Sequence, residues 1–593
     1  MKLLQMILAV LLVFSLSVPT GAKAMETEKV EVNLDHLDFL NEEVTIDRKD
    51  MLITHIYSEY PDYNWVDASG EGIACVDDVA RAAIVYLNHY EQTGNKESLD
   101  NAKKALNFVM YMQAADGEFY NFINRDFSIN TDGPTSKKSF DWWAARGMWA
   151  LGHGYKVFSK ADPAYAKELE NSILLANDAL QRKVNKNYGE YTEIHGYKIP
   201  AWIGGFDAMS NSLLGLAEFY SVKPLPVIKD SMLKVGRGLE EYQFGSADQY
   251  PFGAHLDWEG SPTLWHAWGS GQSFALAKAG AVLKKKDWIE SAQQEADQWF
   301  SHLLVTGMIK EMAPTATKDE QIAYGVNMLT QAFAELYKAT HQKKYAQYAG
   351  ITASWLTGNN DANFAMYDSN TGRGYDGING VTGKVNMNSG AESTIEALLA
   401  IQAVQVIPQA KSMLHVKTTE RHTTEVYEAE GFTAQEGTPE IITPTSPWTG
   451  DALYSGKVVK LSKNDSIKLE VEPNKKGEYL LYAALERKHS QEAINLEVRV
   501  DDRLIRTVPV SDSPDSDYLT LVKLTEPIKL DTNKHKVTLT LKSNSSEALL
   551  VDNLALQPVE EYATFAKENG ETYKLERNLV KGKNELKFLQ KNK

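Results

Sequence analysis

The sequence predicts an (α/α)6 toroid of six helical hairpins, followed by an all-β, jelly-roll-like sandwich. Three observations carry that reading. Apolar residues recur at three- and four-residue spacing in twelve segments between residues 48 and 405, the period of an amphipathic helix. The segments alternate in character: HAWGSGQSFALAKAGAVL (266–283) carries one charged residue and KDWIESAQQEADQWFSHLLV (286–305) carries five, so buried helices alternate with surface helices. Beyond residue 424 the pattern changes to short alternating strands.

The chain opens with Lys2, the apolar run LLQMILAVLLVFSLSV and the small residues Ala22 and Ala24 flanking Lys23, so residues 1–24 are expected to be a secretory signal peptide. Nothing later is long and apolar enough to span a bilayer, and a secreted, extracellular protein is expected. Losing Lys2 and Lys23 takes the formal charge from −17 to −19. That balance repels phosphate backbones and argues against a nucleic-acid partner. Cys75 is the single cysteine, which excludes an internal disulfide and suggests a buried thiol.

The toroid is expected over residues 25–408, with helices near 48–58, 75–92, 96–114, 141–158, 163–182, 206–221, 225–243, 264–283, 286–305, 318–338, 343–357 and 390–405. Inner helices then begin near 75, 141, 206, 264, 320 and 390, a loose but regular period. Their approaches read EGIACVDD, SKKSFDWWAARG, IGGFDAMSNS, SPTLWHAWGSGQ, TKDEQIAYG and NMNSGAEST, dense in Gly, Trp, His, Asp and Glu. The opposite ends are short polar turns such as EQTGNKES, so function is expected at one face.

Six hairpins with acidic and aromatic residues gathered where inner helices start resemble the six-hairpin glycosidase superfamily, over residues 40 to 408. The resemblance is architectural and implies cleavage of glycosidic bonds, by hydrolysis or elimination, in a funnel at that face. Hydrolysis needs one carboxylic acid to protonate the leaving oxygen and one carboxylate to activate water or attack. A helix start keeps a carboxylate ionised, which suits a base, whereas an acid needs an apolar setting. Asp78 is therefore expected as base or water-positioning group. The acid is expected at Glu392, which follows Gly390 and Ala391, or at Asp141, which precedes Trp142 and Trp143. Asp77 and Asp207 are candidate substrate-binding carboxylates, and helix capping is the plain alternative for all the aspartates.

Trp65, Trp142, Trp143, Trp202, Trp258, Trp265 and Trp268 lie in or near the approaches, as sugar-stacking platforms or as core packing. His266 and Arg81 are candidates for hydroxyl or carboxylate contacts. No phosphate-binding glycine loop, zinc-type His/Glu pair or nucleophile elbow appears, so nucleotide, zinc-peptidase and esterase chemistry lack support.

After a linker at 409–424, the strands SIKLEVEP, GEYLLYAALE, INLEVRVDD, HKVTLTLKS and ALLVDNLALQPV place the sandwich at 425–558. Its opening YEAEGF, its YSGKVVKL and its closing VDNLALQP resemble carbohydrate-binding modules of the calcium-containing family 6 and family 35 type. The resemblance implies a structural calcium held by Glu428, Glu430 and Asp552. Both glutamates would share one face of a strand, and calcium takes hard oxygen ligands. A solvated acidic edge is the alternative. Trp448 and Asn553 are the expected sugar contacts. Residues 559–593 read as a basic tail or a short strand.

The leading function is a glycoside hydrolase held on polysaccharide by its binding module. The expected partner is a polysaccharide or oligosaccharide, the expected state is a monomer, and no cofactor is expected for catalysis. The alternatives are a polysaccharide lyase, using Tyr324 or His266 as base with Asn388 or Arg81 against a uronate, and a noncatalytic glycan-binding protein.

Overall fold

The computed structural model describes residues 31–200, 202–445, 448 and 450–591, so the expected signal segment lies outside the described residues. The chain enters through α1 (Asp35–Leu40) and then forms helical hairpins: α2 (Val76–Thr93) with α3 (Lys96–Tyr111), α4 (Trp142–Ala161) with α5 (Pro163–Asn187), and α6 (Phe206–Val222) with α7 (Pro226–Glu241). Next, α8 (Gln272–Leu283) pairs with α9 (Lys286–Glu295), which runs through a π-helical turn into α10 (Ser301–Thr306). Then α11 (Ala323–Thr340) pairs with α12 (Lys343–Ala353), and α13 (Ala391–Gln405) ends near the short α14 (Pro408–Lys411). Each of α2, α4, α6, α8, α11 and α13 packs on the next, and α13 returns to α2, which closes the inner ring.

Local chemistry sets these boundaries. Asn95 caps α3 by accepting from the amides of Glu97 and Ser98 at 2.8 and 3.1 Å, and Asp162 caps α5 ahead of Pro163. Helix α13 is buried along almost its whole length, as an inner helix must be. Inner helices approach closely only where side chains vanish: a Cβ on Gly152 of α4 would lie 2.1 Å from the Gly215 carbonyl oxygen of α6.

Three expectations are corrected. Residues 48–58 are not helical: strands Asn41–Ile46 and Lys49–Thr54 pair antiparallel, joined by Asp47 and Arg48, both with positive φ (51° and 65°). That is the backbone of a tight two-residue hairpin turn, and it overrides the apparent helical period. The hairpin packs on α3, while α1 and α14 flank α13, so the sixth outer position is filled by pieces from both ends of the domain rather than by one helix. The inner helices expected near 264 and 320 begin at Gln272 and Ala323, leaving their approaches as loops and two-residue strands.

The sandwich packs a seven-stranded sheet against a five-stranded one over an aliphatic core that includes Ile467, Leu496, Leu539 and Leu556. The expected linker instead contributes a strand to an antiparallel sheet, and of the two readings of the last segment it is strand, three of them, that the structure shows. Strand Lys417–His422 pairs with Glu560–Ala566, followed by Glu571–Asn578 and Lys583–Lys591. Its Ala563, Phe565 and Leu575 join the core of the toroid. Beneath it Glu561 accepts from Arg577, lies 3.0 Å from His302 Nδ1, and is held well down at about 2, burial being outweighed by the His302 and Arg577 charges.

Candidate active site at the mouth of the toroid

Where the inner helices begin, the ring opens on a cavity of about 410 Å³ lined from α2, α11, α13 and the loops before α8 and α13. Asp77 and Asp78 both line it. Neither caps α2, whose cap residue is the extended Cys75. Successive helical residues point about 100° apart, and each aspartate meets a different arginine. Arg146 Nη1 donates to Asp77 Oδ1 at 2.5 Å, and Arg81 Nη2 donates to Asp78 Oδ1 at 2.8 Å.

Both arginines are shared. Arg81 Nη1 also donates to Glu396 Oε1 at 2.5 Å and lies 3.4 Å from Glu392 Oε2, both on α13. Arg146 Nη2 donates to the Tyr324 hydroxyl at 2.8 Å and lies 3.7 Å from Asp207 Oδ2. The Tyr324 ring sits near both guanidinium carbons, 5.4 and 5.6 Å from its centroid. Five carboxylates thus face two guanidiniums at low dielectric. Holding every one ionised is costly, and some take up a proton more readily than usual.

Burial pushes Asp78 up to about 6 in spite of Arg81, and Asp77 and Glu392 add to the rise. Burial likewise raises Asp207 and Glu396, and it pushes Tyr324 up to about 12. Two of the three carboxylates that share Arg81 differ sharply in exposure: the Asp78 side chain is 6% exposed and that of Glu392 is 52% exposed. Cys75 Sγ donates to Asp78 Oδ2 at 3.3 Å, and burial raises this thiol well above its usual range, the inert buried state expected of it.

One wall is aromatic. Trp268, 37% exposed, lines the cavity and stacks on His266 with centroids 4.7 Å apart and planes at 16°. His266 Nδ1 lies 3.1 Å from Glu311 Oε2, and the His266 amide donates to Asp257 Oδ2 at 2.6 Å.

Other expected site residues fall elsewhere. Asp141 does not line the cavity; Lys183 Nζ donates to its Oδ1 at 2.8 Å, and an ammonium partner is the opposite of the apolar setting expected for an acid. Trp142 is exposed, but Trp143 is buried and donates to the Phe119 carbonyl. Trp265 is buried edge-on against Trp299, and Trp202 is fully buried, so these rings pack the core instead of meeting sugar. In the sandwich, Trp448 is buried, and Asn553 is fully buried, donating to Thr315 Oγ1 of the toroid and to Asp552 Oδ2, each at 2.7 Å. Neither is a free sugar contact.

Glu428 ends its strand and Glu430 lies in the following 3-10 turn, so the two do not share a strand face. They still crowd Asp552, which burial and then Glu428 and Glu430 push up to about 7, offset by the Tyr454 amide. Buried oxygens of Glu428, Glu430 and Asn553 lack hydrogen-bond partners. This donor set suits a hard cation completing its shell with backbone oxygens, although no group of three His, Cys, Asp or Glu among the described residues is spaced to hold a metal as it stands.

The sequence reading missed Arg146, Glu396 and Asp376. The first two had a signal, a charge set among the apolar residues of a buried inner helix, which folds only if paired. Asp376, which accepts from Ser393 Oγ at 2.7 Å and the Gly390 amide at 3.2 Å, lies in a glycine-rich loop like any turn aspartate.

Fold and site together define a toroid of six inner helices with a carboxylate-lined mouth, joined to a β-sandwich. Among solved structures, the chain is similar to a sugar epimerase from a ruminal bacterium (13% identity, 60% of this chain and 92% of that one, TM-score 0.45). It is similar also to the GH76A alpha-1,6-mannanase of Salegentibacter sp. HEL1_6 (11%, 60% and 93%, TM-score 0.39). Over 22% of this chain and 95% of the other, it is similar to the CBM36-1 domain of a multidomain xylanase from the hindgut metagenome of Trinervitermes trinervoides (12%, TM-score 0.18). No family model and no curated protein matches the chain.

Proposed function

We propose that this protein is a secreted glycoside hydrolase acting on a polysaccharide. The observation that carries the reading is the asymmetry of Asp78 and Glu392, two carboxylates of one cavity on different inner helices, sharing Arg81. Asp78 is buried and pushed up to about 6, so it holds a transferable proton near neutrality and suits the general acid. Glu392, open to solvent beside a guanidinium, suits the carboxylate that activates water. These roles reverse the ones expected from helix position. Trp268 offers a stacking face for a pyranose, and Asp77, which lines the cavity and is held by Arg146, suits a hydroxyl contact, with Asp207 sharing that arginine from outside the lining. The excess of carboxylates around Arg81 and Arg146 disfavours an anionic uronate and hence the lyase alternative.

The Asp552 cluster is read as a structural calcium site, held by Glu428, Glu430 and Asp552, which orders the sandwich and takes no part in catalysis. The protein is read as a monomer with residues 1–24 removed on export. The test is incubation with a panel of plant, microbial and wall polysaccharides, scoring reducing ends, the ultraviolet absorbance of unsaturated uronates and product masses. Reducing ends without unsaturation, lost in Asp78→Asn and Glu392→Gln, are expected. Unsaturated products would establish the lyase, and binding without turnover the noncatalytic protein.

A further inference from the structure

The loops that hold Trp268 are tied at their far ends to the sandwich. Strand Glu311–Met312 pairs with Trp265–His266, setting Glu311 opposite His266, on whose ring Trp268 stacks. Just past that strand, the amide of Ala452 donates to the Ala313 carbonyl at 3.0 Å, and Asn553 donates to Thr315. Just before Trp265, the hydroxyls of Thr263 and Ser261 donate to the Asp451 carboxylate at 2.6 and 3.2 Å. Asp451 and Asn553 are both buried. Two residues of one domain thus clamp, from either side, the two strands that orient an aromatic wall of the other.

We propose that Asp451 and Asn553 of the sandwich are positioning residues for the Trp268–His266–Glu311 wall, so that the sandwich sets how tightly the mouth holds a sugar ring. The inference rests on the reading of the cavity as a sugar site, and on nothing about the cation. An unclamped wall lowers the population of the stacked ring before and during reaction alike, so KM carries the effect and kcat does not.

The experiment uses the full chain labelled with 5-fluorotryptophan, with the Trp268 resonance assigned by its loss in Trp268→Phe. Thr315→Val removes the interdomain hydrogen bond alone, whereas Asn553→Ala removes it together with the bond to Asp552, so where the two differ, Thr315→Val decides. Either is expected to move or broaden the Trp268 signal. On whichever of cello-, xylo-, laminari- or mannohexaose is turned over fastest, each is expected to raise KM about tenfold, the size of one lost buried hydrogen bond, with kcat within about twofold. The double variant is expected to add little to either single one. An unmoved resonance in both folded variants overturns the proposal, as does an unchanged KM where Trp268→Ala raises it. If Trp268→Ala itself leaves KM unchanged, the sugar-site reading fails instead, and the resonance still decides the clamp.

Discussion

At the residue scale, the adjacency of Asp77 and Asp78 was legible as more than capping, because neighbours on a helix cannot serve the same donors. Their roles were not. What shares the arginine of Asp78 are Glu392 and Glu396, more than 300 residues away, and no local pattern gives that arrangement. Two outcomes follow. With Asp78 as acid, kcat/KM falls as pH rises through about 6, and Asp78→Asn lowers turnover by about 100-fold or more while leaving the chain folded. Stability falls over the same rise in pH. A carboxyl raised in the folded state from 3.8 to about 6 binds its proton more tightly there than in the unfolded chain, so it opposes folding progressively as pH rises through that window. Asp78→Asn, which never ionises, is expected to gain on the wild type between pH 4 and pH 7, by up to the order of 3 kcal/mol. Thermal melts of both proteins at the two pH values check it; a difference that does not change with pH sinks the assignment of Asp78 as a strained carboxyl.

At the element scale, the long periodic helices were legible and the connections were not. Eleven expected helices coincide with observed ones because each has a stripe or a whole surface to bury. The segment 48–58 failed because a short apolar run fits either period, and Asp47 with Arg48 gives no glycine signal for the turn they make. The last three strands were masked by lysines and glutamates, and strand 417–422 was hidden because its partner, Glu560–Ala566, is far away in sequence. The Glu561 cluster is the nail of that sheet. A carboxylate held at about 2 contributes stability present above its usual range near 4.5 and lost as pH falls from there toward 2. Glu561→Gln leaves the Arg577 guanidinium buried without its counter-charge and is expected to cost about 3–5 kcal/mol at neutral pH, much less near pH 2. Chemical denaturation at both pH values measures this.

At the scale of the whole molecule, the order of domains was legible from the switch of period, while the intimacy of their union was not, since Asn553 and Trp448 read as surface residues and are buried. If the Asp552 cluster holds calcium, a chelator is expected to lower the melting temperature of the full chain, with recovery on adding calcium; an unchanged melt excludes the site. The mass of the exported protein is expected to place its first residue at Met25.

The sandwich leaves the sheet after His422 and returns to it at Glu560, and these strands are neighbours, with His422 opposite Tyr562. A module on one tether swivels, and a pull on it peels that tether from its end. Here the two leads emerge side by side at the same end of two adjacent strands, so a tug on the sandwich runs along both strands at once. The ladder between Glu560–Ala566 and Glu571–Asn578 is then loaded in shear, many hydrogen bonds together, and torque finds no single pivot about which to turn.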